Sequence, residues 1–99
     1  MSAWRGRSGR RYIVGVRSGA GPENAELTDA VVLAVARDRD GSARLLDVAV
    51  PCRGSSRMAR LGWLATMRAR GATELHVHLL ADTAADRDRG WRDLAERTM

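Results

Sequence analysis

The chain has 99 residues, a formal net charge of +5 and a hydrophobic content of 44%, proportions that fit one globular domain. Charged residues make up 29% of the sequence, and no apolar run reaches the roughly 20 residues needed to cross a bilayer, which argues against a membrane protein or a membrane partner. Cys52 is the single cysteine and cannot form an internal disulfide, which indicates a reducing compartment and predicts a cytoplasmic location.

The positive charge is concentrated at the N-terminus. All 17 basic residues are arginine, and residues 1–20 contain five of them and no acid, so the charge of this segment equals that of the whole chain. Residues 1–11 combine glycine, serine and arginine without apolar periodicity, which predicts a flexible basic arm. The remaining residues, 12–99, are predicted to form a single α/β domain.

The first half of the predicted domain contains three short apolar runs. Tyr12–Arg17 is β-branched and predicts a strand, and a loop rich in Gly, Pro and Asn follows it. Asp40-Gly41 lies between two apolar runs, which predicts antiparallel strands over Val31–Arg37 and Arg44–Val50. The alternative is a helix that begins at Pro22 and ends at Asp40.

The second half is predicted from helix caps and from alternation of apolar residues. Serine, threonine and aspartate are favoured before a helix, and glycine is favoured after one. These signals predict three elements: a helix from Ser55 or Ser56 to Gly71, a strand over Glu74–Leu80, and a helix from Asp82 or Thr83 to about Arg97.

The predicted elements follow the order β-β-β-α-β-α. We therefore expect an α/β (α+β) fold, in which a mixed sheet begins as an antiparallel meander and has both helices packed on it. If residues 22–40 are helical, the order becomes β-α-β-α-β-α, and the fold becomes a three-layer parallel sheet.

Three segments resemble the ribonuclease H-like family, which has the same order of elements. VRSG stands where the family ends its first strand, GSSRMARLGWLATM resembles the segment that opens its first helix, and HLLADT resembles the end of its fourth strand. The similarity covers residues 12–90. It implies a ribonuclease H-like fold, in which converging carboxylates hold two divalent ions.

Most of those carboxylates are missing from this chain. Arg17 and Ala59 stand at two of the family's acidic positions, and Asp82 is the one acid retained. Arginine and alanine cannot hold hard cations, which need oxygen ligands. The resemblance therefore implies a truncated and degenerate relative. We expect no catalytic residues, no cofactor and no nuclease activity, and an enzyme that acts at a pocket without a recognisable motif is kept as a third alternative.

The arginines carry the strongest functional signal. Arginine binds phosphate through its planar fork, and tryptophan beside arginine can stack on bases. The sequence therefore predicts a non-catalytic accessory protein that associates with DNA or RNA. The residues predicted to make the contacts are Trp4 and seven arginines: Arg5, Arg7, Arg10, Arg11, Arg17, Arg57 and Arg60.

The alternative function is protein interaction, including a homodimer. On the helix that follows Ser56, a row of apolar residues from Met58 to Ala69 is predicted to face the core, whereas Trp63 and Met67 project to the other side. Exposed apolar side chains on a helix often mark a partner surface. This alternative places the interface at Trp63 and Met67.

Two further candidates are predicted to be structural. His76 and His78 share one face of a strand, but structural zinc needs four ligands and no such pattern is present, so no metal is expected. Cys52 stands beside Arg53, yet no motif marks it as a nucleophile, and a semi-buried structural cysteine is expected.

Overall fold

The computed structural model describes residues 2–51 and 55–97. Over these ranges the chain forms β1 (Ser2–Arg5), β2 (Arg11–Ser18), a short 3-10 helix (Pro22–Glu26), β3 (Val31–Arg37), β4 (Ala43–Ala49), α1 (Arg57–Ala69), β5 (Glu74–His78) and α2 (Ala84–Glu96). Neither helix in the described part of the chain has the length and apolar character needed to cross a membrane.

Strand β3 is the centre of the structure. All six residues from 31 to 36 are buried, because the strand is apolar at every one of these positions. Val32 shares a core cluster with Leu64 of α1, whereas Leu33 belongs to a second cluster with Leu94 of α2. Since neighbouring residues of a strand face opposite sides, the two helices cover opposite faces of the sheet.

The sheet has the order β1-β2-β5-β3-β4, and every neighbouring pair is antiparallel. The predicted mixed sheet with a β-β-β meander is therefore wrong, and so is the parallel alternative. A meander requires β2 beside β3, but β5 lies between them, with Val77 opposite Gly15 on one edge and opposite Val32 on the other. Strand β5 is suited to this position because its three central residues are buried. Leu75 and Val77 are apolar, and both ring nitrogens of His76 are hydrogen-bonded.

Several local predictions are confirmed. Strands β3 and β4 pair as a hairpin, and Gly41 in the connecting turn has a φ of +88°, a conformation that favours glycine. The alternative helix over residues 22–40 is wrong, apart from its first, 3-10 turn. Ser56 caps α1 by accepting a hydrogen bond from the N–H of Ala59 at 3.0 Å, and Thr83 caps α2 in the same way.

The segment predicted as a flexible arm, residues 1–11, contains strand β1 and the turn that leads into β2. Trp4 stands opposite Tyr12 in this pair, and Gly9 in the turn has a φ of +90°. A four-residue strand gives little periodicity in the sequence. Its structure depends on pairing with β2 and on contacts with α2, which is distant in sequence.

Asp93 of α2 anchors this N-terminal hairpin. Its carboxylate accepts hydrogen bonds from the Ser8 backbone N–H at 2.7 Å, the Ser8 hydroxyl at 2.7 Å and the Tyr12 hydroxyl at 2.8 Å. Burial opposes ionisation, but these hydrogen bonds hold the pKa of Asp93 below its ordinary value. Burial and the contact with Asp93 raise the pKa of Tyr12 to about 12. A Cβ on Gly6 would collide with the same carboxylate, so turn and helix are in close contact.

Replacing Asp93 with alanine should lower the free energy of unfolding by about 2–3 kcal/mol, because three donors lose their acceptor and one of them is the buried Tyr12 hydroxyl. Urea denaturation followed by circular dichroism measures this loss. Asp88→Ala is the matched control on the same helix. Asp88 is exposed and pairs with Arg92, so its removal should change stability by less than about 0.5 kcal/mol. Equal losses in both variants would show that Asp93 does not anchor the hairpin.

Candidate nucleic-acid interface

Three of the predicted arginines, Arg5, Arg11 and Arg17, lie on one face of the β1–β2 hairpin, which we call the arginine face. Arg5 stands directly opposite Arg11 in the pairing of the two strands. Tyr12 and Val14 belong to the core cluster beside α2. Because strand side chains alternate between faces, Arg11 and Arg17 lie on the side of the sheet opposite to that cluster.

The arginine face is open to solvent. Ile13, which follows Arg11 on this face, is 42% exposed, although it is a large apolar residue. A Cβ built on Gly15, the next residue on the face, would meet no atom within 4 Å. Helix α1 packs on β3 and β5 on this side of the sheet and leaves β1 and β2 uncovered.

The charges of the arginine face have no acidic partner. Within residues 2–51 and 55–97, no carboxylate forms an ion pair with Arg5, Arg11 or Arg17. Arg5 Nη1 donates to the Gly9 carbonyl at 3.0 Å, and Arg17 Nη1 donates to Asn24 Oδ1 at 3.5 Å. Each guanidinium has five N–H donors, so most of them have no acceptor among the described residues. At about 3.3 Å per residue, the row from Arg11 to Arg17 is roughly 20 Å long.

The other two arginines of the N-terminal segment lie in or beside the turn and not on the arginine face. Arg7 pairs with Glu96 at 3.3 Å on the α2 side. Arg10 has its guanidinium carbon 5.7 Å from the centre of the Tyr12 ring. The structure therefore divides the predicted basic arm between two sides of the sheet.

The two predicted arginines of α1 have contacts with the 3-10 helix and its surroundings. Arg57 pairs with Glu26 at 3.4 Å. Arg60 donates from Nε to the Ala25 carbonyl at 2.7 Å and from Nη1 to the Ser55 carbonyl at 2.6 Å. Both side chains are thus engaged with neighbouring residues and do not belong to the arginine face.

Trp4, predicted to stack on bases, lies on the core side of the hairpin. Its indole Nε1 donates to Nδ1 of His76 at 2.8 Å, and the Arg97 guanidinium carbon lies 4.9 Å from its ring centre. The ring is half-buried in the cluster beside α2. It is therefore not placed to stack on a base beside Arg5 or Arg11.

The interface predicted at Trp63 and Met67 is part of the protein's own core. Met67 is buried in the cluster between α1 and the sheet. Trp63 packs against the same cluster, and its indole Nε1 donates to Asp47 Oδ2 at 2.9 Å. Met58, predicted to face the core, is 78% exposed. The apolar face of α1 is thus rotated from the predicted one.

The sequence predicts no metal site because it contains no pattern of metal ligands. Among the described residues, no group of three or more His, Cys, Asp or Glu is close enough to hold an ion. Asp82 is exposed after β5, and His78 Nδ1 donates to the Ile13 carbonyl at 2.8 Å. Cys52 lies outside the described residues.

A hydrogen-bond chain that passes through the buried His76 connects β1 to β5 and β3. Since an indole N–H can only donate, Nδ1 of His76 accepts from Trp4, and the His76 proton is on Nε2. Nε2 donates to Glu74 Oε1 at 2.8 Å, and Arg37 donates to both oxygens of Glu74 at 2.9 and 3.0 Å. The Arg37 hydrogen bonds, followed by that of His76, lower the pKa of Glu74 to about 2.

The pairing of Arg5 with Arg11 is the feature that the sequence prediction missed. Ser8-Gly9 between AWR and RYI has the composition of a hairpin turn between two short strands. That signal would have placed Arg5 and Arg11 on the same face. Arg17 would then follow from alternation along β2.

Comparison of the chain with protein-family models gave no match, and comparisons with curated proteins and with solved structures gave none either. The ribonuclease H-like resemblance therefore stays a prediction from the sequence. Any function has to be argued from the geometry and charge of the arginine face and from the other surfaces of the described residues.

Acid should destabilise the protein in part through Glu74. Its pKa is about 2 in the folded chain against an ordinary value of 4.5, so it stabilises the fold above pH 4.5, and this contribution is lost as the pH falls towards 2. We expect the difference in unfolding free energy between the unmodified protein and Glu74→Gln to shrink from about pH 6 to about pH 2. Urea denaturation at several pH values measures it. A difference that stays constant would contradict this role of Glu74.

Proposed function

We propose that the protein binds the phosphate backbone of nucleic acids through the arginine face. The observation that carries this proposal is the register of β1 and β2, which brings Arg5 and Arg11 side by side and keeps Arg17 on the same open face. None of the three has a carboxylate partner among the described residues. Unpaired surface guanidinium groups in a row are suited to a polyanion.

Arginine is suited to phosphate for geometric as well as electrostatic reasons. Its planar fork donates two parallel hydrogen bonds to two phosphate oxygens, and it keeps its charge at all relevant pH values. The chain carries +5 overall, and three of those charges can act from one face. A row of roughly 20 Å matches a short stretch of backbone, about four to six nucleotides.

Binding at this face should depend little on base sequence. Between and beside the arginines, this face carries only Ala3, Ile13 and Gly15. The aromatic residues Trp4 and Tyr12 lie on the opposite side of the hairpin. No stacking platform is therefore offered to bases. Affinity would come from phosphates, and such affinity decreases steeply with salt.

The arginine face is held in place before any ligand binds. Asp93 fixes the turn between β1 and β2, and the Trp4–His76 hydrogen bond holds β1 in place at the edge of the sheet. Ordering a flexible arm on binding would oppose affinity, whereas a hairpin already ordered avoids most of that loss. Binding by this ordered hairpin therefore differs in mechanism from binding by a flexible arm.

The proposed role is that of a non-catalytic accessory protein. A cytoplasmic location is part of the proposal, since nucleic acids are available there and the single Cys52 suits a reducing compartment. DNA and RNA share the phosphate chemistry that the arginine face recognises.

Replacing Arg5, Arg11 and Arg17 together with glutamine should weaken binding to a fluorescent single-stranded oligonucleotide at least about tenfold at about 50 mM salt. For the unmodified protein, three phosphate contacts at about 0.7 per contact give a slope of about −2 in log Kobs against log salt. Binding should thus fall about 20-fold between about 50 mM and about 200 mM salt. Fluorescence anisotropy with DNA, RNA and duplex probes measures both quantities.

The matched control replaces three arginines that do pair with acids: Arg44 with Asp38, Arg89 with Asp86, and Arg92 with Asp88. The triple glutamine variant at 44, 89 and 92 loses the same three charges, yet it should retain binding within about twofold and keep the salt slope. An equal loss in both triple variants would mean that net charge, not the arginine face, determines binding. Absence of salt-dependent binding by the unmodified protein would refute the function altogether.

A further inference from the structure

A cleft of about 210 Å³ opens between α1, the 3-10 helix, the start of β3 and the end of β4. Its lining includes Val32, Leu64 and Leu75, which are all buried core residues. Trp63 also lines it, with its indole nitrogen held by Asp47 at 2.9 Å. No residue of the arginine face lines this cleft, although Arg17 donates to Asn24, which does line it.

The polar side chains in the cleft lining are neutral or positive. They are Asn24, Ser55 and Arg60, and no Asp or Glu is among the described lining residues. Arg60 is fixed by hydrogen bonds from Nε to the Ala25 carbonyl and from Nη1 to the Ser55 carbonyl. An apolar cleft therefore has a fixed cation on its wall, and the field at that wall favours an anionic group.

The volume limits the size of an occupant. An apolar cavity of about 150 Å³ is large enough for benzene. A cleft of about 210 Å³ therefore has room for one six-membered ring with a small substituent. Binding sites for small molecules are typically apolar with a few polar groups that fix orientation, and this lining has that composition.

We propose that this cleft binds a monocyclic aromatic carboxylate. The ring would contact Leu64, Leu75 and Val32, where it replaces water on apolar surface. The carboxylate would lie on the polar side, near the Arg60 guanidinium and the Ser55 hydroxyl. The indole of Trp63 would contact the occupant and report its presence.

Titration of the full chain with 4-methylbenzoate tests the proposal. The measured signal is the ¹⁵N–¹H resonance of the Trp63 indole, assigned by its loss in Trp63→Phe. We expect a saturable shift with a dissociation constant of about 1 mM or lower. The ligand has about ten non-hydrogen atoms, and the binding free energy per atom that is usual for small ligands is enough for that affinity. The neutral analogue 4-methylbenzamide has the same shape and should bind at least about fivefold more weakly, because it lacks the charge that Arg60 attracts.

Two leucine variants on α1 locate the binding site. Ala59 lines the cleft and is exposed, so Ala59→Leu fills the space without disturbing the core and should abolish the shift. Ala65 is exposed on the same helix and does not line the cleft, so Ala65→Leu should retain binding. Leucine is a strong helix former, and circular dichroism checks that both variants fold.

The proposal is overturned if the unmodified chain shows no saturable shift of the Trp63 resonance. It is also overturned if Ala59→Leu binds as well as Ala65→Leu, or if the amide binds as tightly as the carboxylate. Oligonucleotide binding by the arginine face can succeed or fail separately, because neither leucine position belongs to it.

Discussion

The burial of residues 31–36 of β3 is the constraint on which the rest of the structure depends. A strand that is apolar at every position from 31 to 36 has no side that can face water. It therefore requires a helix on each face and a strand on each edge. Helices α1 and α2 supply the faces, and β4 and β5 supply the edges. Strands β1 and β2 then extend the sheet beyond the area that α1 covers, and this extension creates the open arginine face.

Polar contacts determine how that extension is held. Asp93 accepts three hydrogen bonds from the hairpin, and Trp4, which stands opposite Tyr12, donates to His76 on β5. Both contacts lie on the α2 side of the sheet. The other side is left to Arg5, Arg11 and Arg17. A surface of like charges is thus supported from behind by neutral and acidic groups, which fix the backbone without neutralising the guanidinium groups.

The sequence predicts the features that depend on neighbouring residues. The turn at Asp40-Gly41 and the caps of α1 and α2 lie within a few residues of the elements they define, and all were found as expected. The order of strands was not predictable, because the pairing of Gly15 with Val77 has no local signal. The site was predictable only in part. The sequence shows the arginines of residues 1–20, but the pairing of β1 with β2 determines that Arg5, Arg11 and Arg17 share one face, whereas Arg7 and Arg10 lie in or beside the turn.

The position of β3 also affects how the chain folds during synthesis. Its hairpin with β4 can form once residue 49 has emerged from the ribosome. The other edge of β3 has no partner until residues 74–78 have emerged as well. In that interval, a strand of six uncharged residues rich in valine presents free N–H and C=O groups. Such segments associate readily with copies of themselves. The inserted strand β5 therefore completes the fold and also covers the edge at which nascent chains would aggregate.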